Sequence, residues 1–133
     1  MMSESTQAWV AAGVRAVIGA HTQAQDAGRT DEIVALYTPD GVLELPGTDP
    51  LQGHDALREA FKGWAPELPQ LHLVTNTVVT SSTDDEAKAS SDVVFLQRGE
   101  SGWAVQVVGH YEDTLRRIDG TWLFGHRKTT YQI

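Results

Sequence analysis

The feature that most constrains this chain is a change of hydrophobic period at residue 71. Before it, Val10, Val14, Val17, Ile18, His21 and Gln25 fall on one stripe at the i, i+4, i+7, i+8 spacing of a helix. After it the period is two, and Leu71 to Thr80, Ala87 to Gln97, Trp103 to Arg117 and Thr121 to Gln132 read as four long β-segments. Thr83-Asp84-Asp85, Gly99-Glu100-Ser101-Gly102 and Asp119-Gly120 separate them, and connections this short join antiparallel neighbours. Helices first and strands afterwards predict an α+β fold, with three N-terminal helices packed on a curved, mainly antiparallel sheet in a cone-shaped barrel. A sheet curled around helices leaves a hollow at its open end, where apolar ligands are held.

The first helix turns polar at its C-terminal end and is capped by Gly28. Thr30, followed by Asp31 and Glu32, predicts the start of a short second helix through Ile33, Leu36 and Tyr37 that Pro39 ends. Asp40-Gly41 reads as a turn, Val42 to Leu45 as a strand stopped by Pro46-Gly47, and the stretch to Gly53 as a loop. Asp55 caps a third helix with Ala56, Leu57, Ala60, Phe61 and Trp64 on its apolar face, closed by Pro66 and Pro69. No repeat or linker interrupts this order, so the 133 residues are expected to form one domain, 1–133.

Composition narrows the function classes. A hydrophobic fraction of 41% with 21% charged residues is that of a globular chain, not of a disordered one or a fibre. Without cysteine there is no disulfide framework, thiolate metal site or cysteine nucleophile, which fits a reducing compartment. The formal charge of -8 repels phosphate backbones and anionic bilayers, so neither nucleic acid nor membrane is expected as a partner. The apolar run from Trp9 to Val14 is broken by Arg15 before it reaches the length of a signal-peptide core, and no stretch approaches the ~20 apolar residues of a membrane span. The expected location is cytoplasmic.

Serine-nucleophile motifs, P-loops, dinucleotide fingerprints and HExxH zinc sites are all missing, which leaves acid–base chemistry without a cofactor. His21, His54, His72, His110 and His126 form no i, i+4 ligand pair, so no metal is expected. Alternation from Leu71 puts His72, Val74, Asn76 and Val78 on one strand face, and a histidine among valines is either a satisfied core residue or a base. The base needs a carboxylate to fix its tautomer. Asp26 is the candidate, at the polar end of the first stripe, although on an ideal helix it sits about 120° from Val14 and could equally be a solvated terminal acid. His21 and Gln25 should line the hollow nearby.

Tyr111 and Asp113 share a parity with Gly109, which could make room for a ligand; Tyr111 is then a core residue or a substrate contact. Arg127 alternates with Leu123, Gly125 and Thr129, and if that face points inward the guanidinium needs an anion: Asp113, Glu44 or a substrate oxygen. His54, His110, His126 and Lys128 read as surface or edge residues.

Taken together, Asp26 to Gly28, Ala35 to Gly47, Gly53 to Arg58, Leu71 to Asn76, Gly109 to Asp113, and Asp119 to Trp122 with Arg127 give a chain that resembles the SnoaL-like branch of the nuclear transport factor 2-like superfamily. The resemblance spans nearly the whole sequence and implies the fold more strongly than the reaction, because the superfamily hosts dehydratases, isomerases, cyclases, epoxide hydrolases and non-catalytic subunits. Its scytalone dehydratase, hexachlorocyclohexane dehydrochlorinase and bile-acid dehydratase groups use an Asp at the end of the first helix and a His on the following long strand. By motif position these correspond to Asp26 and His72, and the pocket arginine of the dehydrochlorinase corresponds to Arg127. Where scytalone dehydratase has two carbonyl-binding tyrosines and a second histidine, this sequence has Gln25, Leu45 and Gln97.

The resemblance and the residues together predict catalytic Asp26 and His72, with Arg127, Tyr111, His21, Gln25, Asn76, Gln97 and Asp113 around the substrate. The expected activity is a dehydratase-like lyase acting on a small apolar, polyketide- or steroid-like molecule. An isomerase or polyketide cyclase would share the proton abstraction, and a non-catalytic ligand-binding or subunit-docking module would share the cone. Long strands with apolar residues on both faces, Val94 and Leu96 opposite Val93 and Phe95, predict a homodimer through the outer face of the sheet.

Overall fold

The structure is a computed structural model that describes residues 2–81 and 83–132. Helix α1 (Glu4–Asp26) starts at Ser3, whose Oγ accepts the Thr6 N–H at 3.1 Å, and stops where Gly28 takes a left-handed φ of 70°. It buries Val10, Val14, Val17, Ile18, His21 and Ala24, the expected stripe with Ala24 added. Helix α2 (Thr30–Val34) is followed by β1 (Tyr37–Glu44), β2 (Leu51–Gln52) and α3 (His54–Gly63). The long strands β3 (Gln70–Ser81), β4 (Glu86–Gly99), β5 (Gly102–Ile118) and β6 (Thr121–Tyr131) come next, within two residues of the predicted segments.

The sheet runs β2-β1-β6-β5-β4-β3, antiparallel throughout except for the parallel β1–β6 pair. The mainly antiparallel α+β arrangement with three helices on the sheet is as expected. The barrel is not closed, because β2 and β3 remain edges. Val14, Ile33, Val34, Tyr37, Leu57, Leu115 and Phe124 form the best-buried part of the core. A Cβ on Gly13 would come within 2.5 Å of the Trp122 indole, so this glycine lets α1 lie close against β6. Among the described residues no helix is long and apolar enough to cross a membrane.

Several local expectations are corrected. The second helix ends at Val34, Thr30 lies inside it, and Tyr37 to Pro39 begin a strand instead. The Phe124 N–H donates to the Leu36 carbonyl at 2.8 Å and Tyr37 pairs with Phe124, so β6 recruits this segment into the sheet. Pro39 falls in the irregular stretch between Tyr37 and Val42, where the register with β6 shifts. The third helix is capped by Gly53, with Asp55 in its first turn.

Among the register shifts of the long strands, those in β3 and β6 overturn parities read from the sequence. In β3 the register shifts between Thr75 and Val78 at Asn76, whose φ is 56°, and Val78 turns outward to 61% exposure. In β6 the shift at Gly125 puts Trp122 and Phe124, not Leu123 and Gly125, on the inner face with Arg127 and Thr129.

Candidate active site

Asp26 and His72 meet because of how α1 lies against the free edge of β3. Arg15 Nη2 donates to the Thr77 carbonyl at 3.0 Å at one end of the contact, and Asp26 reaches His72 at the other. The helix rises about 16 Å between Arg15 and Asp26, and the strand advances about the same distance between Thr77 and His72. The two elements therefore stay in step over the whole contact. The flank of the α1 stripe, which on a helical wheel looks bound for solvent, is the side that faces this edge.

The Asp26 carboxylate is held three times: Oδ2 accepts the backbone N–H of His72 at 2.8 Å, while Oδ1 accepts Gln70 Nε2 at 3.1 Å and lies 2.6 Å from His72 Nδ1. Burial opposes its ionisation, but the bonds from the His72 ring and backbone and from Gln70 outweigh it and lower its pKa below the ordinary aspartate value. An ionised Asp26 makes Nδ1 the protonated nitrogen of a neutral His72 ring and leaves the lone pair on Nε2. The ring stacks on Phe95, its cross-strand partner, at 4.5 Å between centroids.

His72 borders a cavity of about 500 Å³. Leu43, Leu45, Phe61, Trp64, Phe95 and Val107 supply apolar walls; His21, Gln25, Gln70, Gln97, Tyr111, Arg127 and Thr129 supply polar ones. Arg127 is buried, with Nε and Nη2 donating to the two oxygens of Asp113 at 2.8 and 3.0 Å, and these residues face each other across β5 and β6. Its guanidinium carbon lies 3.8 Å from the centre of the Tyr111 ring and 4.5 Å from that of Phe124. Burial disfavours the Arg127 charge, but Asp113 more than compensates and raises its pKa. Of the three anions open to Arg127, the protein supplies Asp113; Glu44 instead bonds His126.

His21 is buried among Tyr37, Phe61 and Phe124, with Nε2 2.9 Å from the Tyr37 hydroxyl. Burial, assisted by the charge of Arg127, pushes its pKa well below the usual histidine value, so it is neutral. Burial likewise raises the pKa of Tyr37 and Tyr111.

The structure thus gathers Asp26, His72, His21, Gln25, Gln97, Tyr111 and Arg127 at or beside one cavity. Asp113 stands behind Arg127 and does not line it. Asn76 is excluded: the bulge turns it outward, where its Nδ2 donates to Asp92 at 2.9 Å. Gly109 makes no room for a ligand, since a Cβ there would lie 2.7 Å from the Thr130 carbonyl oxygen of β6. Gln70, Phe95 and Thr129 were missed. Gln70 lies two residues before His72 and Thr129 two after Arg127, so alternation pointed to both; Phe95 depends on cross-strand register, which sequence does not display.

No curated protein matches the sequence. Among solved structures, a protein of unknown function from Mycobacterium tuberculosis, Rv3472(D26N), is 23% identical with a TM-score of 0.89, covering 98% of this chain and 77% of its own. A candidate scytalone dehydratase from Novosphingobium aromaticivorans is 20% identical with a TM-score of 0.89, over 98% of this chain and 89% of the other. A type 2 hexachlorocyclohexane dehydrochlorinase, LinA, is 15% identical with a TM-score of 0.84, over 98% and 90%. At these identities the likeness is one of fold. The SnoaL-like domain family matches residues 7–128, nearly the full length, and the chain belongs to that family.

Proposed function

We propose that this protein is a cofactor-independent acid–base enzyme, a dehydratase-like lyase acting on a small, largely apolar polyketide- or steroid-like molecule. His72 Nε2 takes a proton from a carbon of the substrate. The electrons of that C–H bond form the new double bond, and the leaving group departs with its own bonding pair. Asp26 stabilises the imidazolium that results. Isomerisation or ring closure would begin with the same abstraction and differ in the fate of the carbanion.

The observation that carries this reading is the 2.6 Å contact between Asp26 Oδ1 and His72 Nδ1 on the border of a cavity with both apolar and polar walls. The shared fold of the candidate dehydratase and of the dehydrochlorinase lends it support. The test is turnover of a panel of β-hydroxy and β-halo carbonyl compounds, read as formation of the unsaturated product and release of the leaving group. Asp26→Asn should keep the fold and lose roughly 10²- to 10⁴-fold in rate, because an amide cannot stabilise the imidazolium. A folded Asp26→Asn or His72→Ala variant with the wild-type rate would end the reading and leave a ligand-binding module.

A second copy of the chain is the partner proposed for the outer face of the sheet. Leu71, Leu73, Val105 and Val108 are exposed there beside Val94 and Leu96, a contiguous apolar surface across β3, β4 and β5. Light scattering should give twice the 14.5 kDa chain mass, and Leu73→Glu should shift it toward the single-chain value. A mass of 14.5 kDa at every concentration would exclude this dimer.

A further inference from the structure

Two tyrosines are buried in the interior, Tyr37 and Tyr111, and their hydroxyls differ. That of Tyr37 pairs with His21 Nε2 at 2.9 Å, away from the cavity wall. Tyr111 lines the cavity, and its hydroxyl has no hydrogen-bond partner among the described residues. It is not sealed off either, because the only unpaired side-chain polar atoms enclosed there are His21 Nδ1 and Thr129 Oγ1. A buried tyrosine usually ties its hydroxyl to another group of the protein. One that stays unpaired and within reach of a cavity occupant is a place for a ligand atom.

The surroundings indicate which atom fits. Burial raises the Tyr111 pKa, and the charges of Asp113 and Asp26 add to this against the opposing charge of Arg127. The phenol is therefore protonated at neutral pH and offers an O–H. The Arg127 guanidinium carbon stands 3.8 Å from the ring centre, and a cation on the ring face draws electron density from the phenol and strengthens it as a donor. Pairing of Tyr111 with Ser91 and Thr129 on the two neighbouring strands fixes its backbone before a ligand arrives. His72 Nε2 supplies the complementary function, a lone pair for a proton. When a proton leaves carbon, a carbonyl next to that carbon passes the negative charge to its oxygen, and a donor already in place stabilises an oxygen that gains charge.

We infer that the Tyr111 hydroxyl is a further catalytic group of this cavity, donating to the carbonyl oxygen of a substrate that is an uncharged ketone or related carbonyl compound with the abstracted hydrogen on the adjacent carbon. This deepens the lyase reading and rests on it. His72 Nε2 takes the proton, the C–H pair becomes the carbon–carbon double bond of an enolate, and the carbonyl π pair moves onto the oxygen beside the Tyr111 O–H. As the carbonyl re-forms, the enolate pair becomes the new double bond to the β-carbon, and the β-leaving group departs with its own bonding pair. Tyr111 keeps its proton throughout.

The test uses Tyr111→Phe, which removes the hydroxyl and keeps the ring beside Arg127. Binding of 1-indanone and indane is followed through the indole N–H resonance of Trp64 in the cavity wall, and the carbonyl band of bound 1-indanone by isotope-edited infrared spectroscopy. In the wild type the ketone should bind about 3- to 10-fold more tightly than indane, with its carbonyl band lowered from the position in an aprotic solvent. In Tyr111→Phe the ketone should fall to the affinity of indane, indane should bind as before, and the band should return toward the aprotic position. With a β-hydroxy ketone that turns over, kcat should drop roughly 10²- to 10³-fold, against about 3- to 10-fold in KM. The proposal is overturned if 1-indanone binds no better than indane to the wild type, or if the carbonyl band is the same in both proteins. A ring that served packing alone would leave that band unmoved. The probes bind without reacting, so they are read independently of the dyad. Wild-type turnover in Asp26→Asn would overturn the lyase reading and with it the catalytic role of Tyr111; lost turnover in Asp26→Asn with an unmoved band in Tyr111→Phe would overturn Tyr111 alone.

Discussion

Asp113–Arg127 and Asp26–His72 are both carboxylate–base pairs on the inner side of the same sheet, with very different access to their surroundings. The side chains of Arg127 and Asp113 are 2% and 0% exposed, both carboxylate oxygens are used, and two aromatic rings lie against the guanidinium. His72 and Asp26 are 13% and 11% exposed, and His72 keeps one ring nitrogen outside the pair. The Asp113–Arg127 pair has both carboxylate oxygens engaged within the protein and is almost wholly out of solvent. A pair at a cavity border with a nitrogen to spare can still exchange a proton. The same interaction is thus structural in one place and suited to chemistry in the other.

The sharpest way to break this contrast is to unbalance the closed pair. Asp113→Asn leaves a buried guanidinium without its counter-charge and should cost about 3–5 kcal/mol of unfolding free energy, measured by urea denaturation. The paired replacement Asp113→Leu with Arg127→Met should be less destabilising than either single change, because it removes both charges at once. The corresponding effect of Asp26→Asn is expected in the rate, with a much smaller loss of stability, since that pair is partly solvated. Two variants with the same profile would erase the distinction.

How much of this was legible in sequence depends on whether the signal was local. The four long strands follow from alternation and from short turns such as Asp119-Gly120, and they were read to within two residues. Tyr37 was misread because it stands four residues after Ile33, at helical spacing, whereas its true state is set by pairing with Phe124, far along the chain. The bulges at Asn76 and Gly125 carry no hydrophobic signature, so parity propagated past them put Asn76 and Leu123 on the wrong face. The Asp26–His72 contact joins residues 46 apart. Its place at the polar end of the first helix made Asp26 the candidate carboxylate, periodicity left it on a flank of the stripe, and the family resemblance strengthened its pairing with His72.

His21 stands between the two pairs and provides a pH-dependent probe of the comparison. Burial, with the Arg127 charge, holds the folded-state pKa of His21 well below its unfolded value, so below about pH 6.5 the unfolded chain binds a proton that the folded chain does not. Stability should therefore fall as the pH drops below that point, by at most about 1.4 kcal/mol per pH unit from this group, and be indifferent to it above. Denaturation curves between pH 7.5 and 5.5 should show this slope in the wild type and a shallower one in His21→Gln. His110, on the outer face, acts with the opposite sign. Its ring N–H groups donate to the carboxylates of Asp92 and Glu112, which raises its pKa, so its contribution is present at low pH and lost as the pH rises through the folded-state value. A slope unchanged by His21→Gln would mean that the ring is protonated in the fold and that the closed pair does not repel it.

The smallest expected effect concerns Gln70, which shares Asp26 Oδ1 with the His72 ring. Gln70→Leu removes one of the bonds that keep the Asp26 pKa low, while the two contacts to His72 remain. Asp26 contributes stability above its unfolded value of about 3.9 and loses that contribution as the pH falls through the lowered folded value. The variant should move this acid limb to higher pH. Its rate should drop only about 3- to 10-fold, because the carboxylate stays ionised at neutral pH and still orients Nδ1. That places Gln70 as a positioning residue acting through Asp26, and the shifted acid limb is the readout that a mere packing defect would not produce. A loss in Gln70→Leu as large as that in Asp26→Asn, with the acid limb unmoved, would instead mean that the Gln70 amide contacts the substrate itself, which its place in the cavity wall allows.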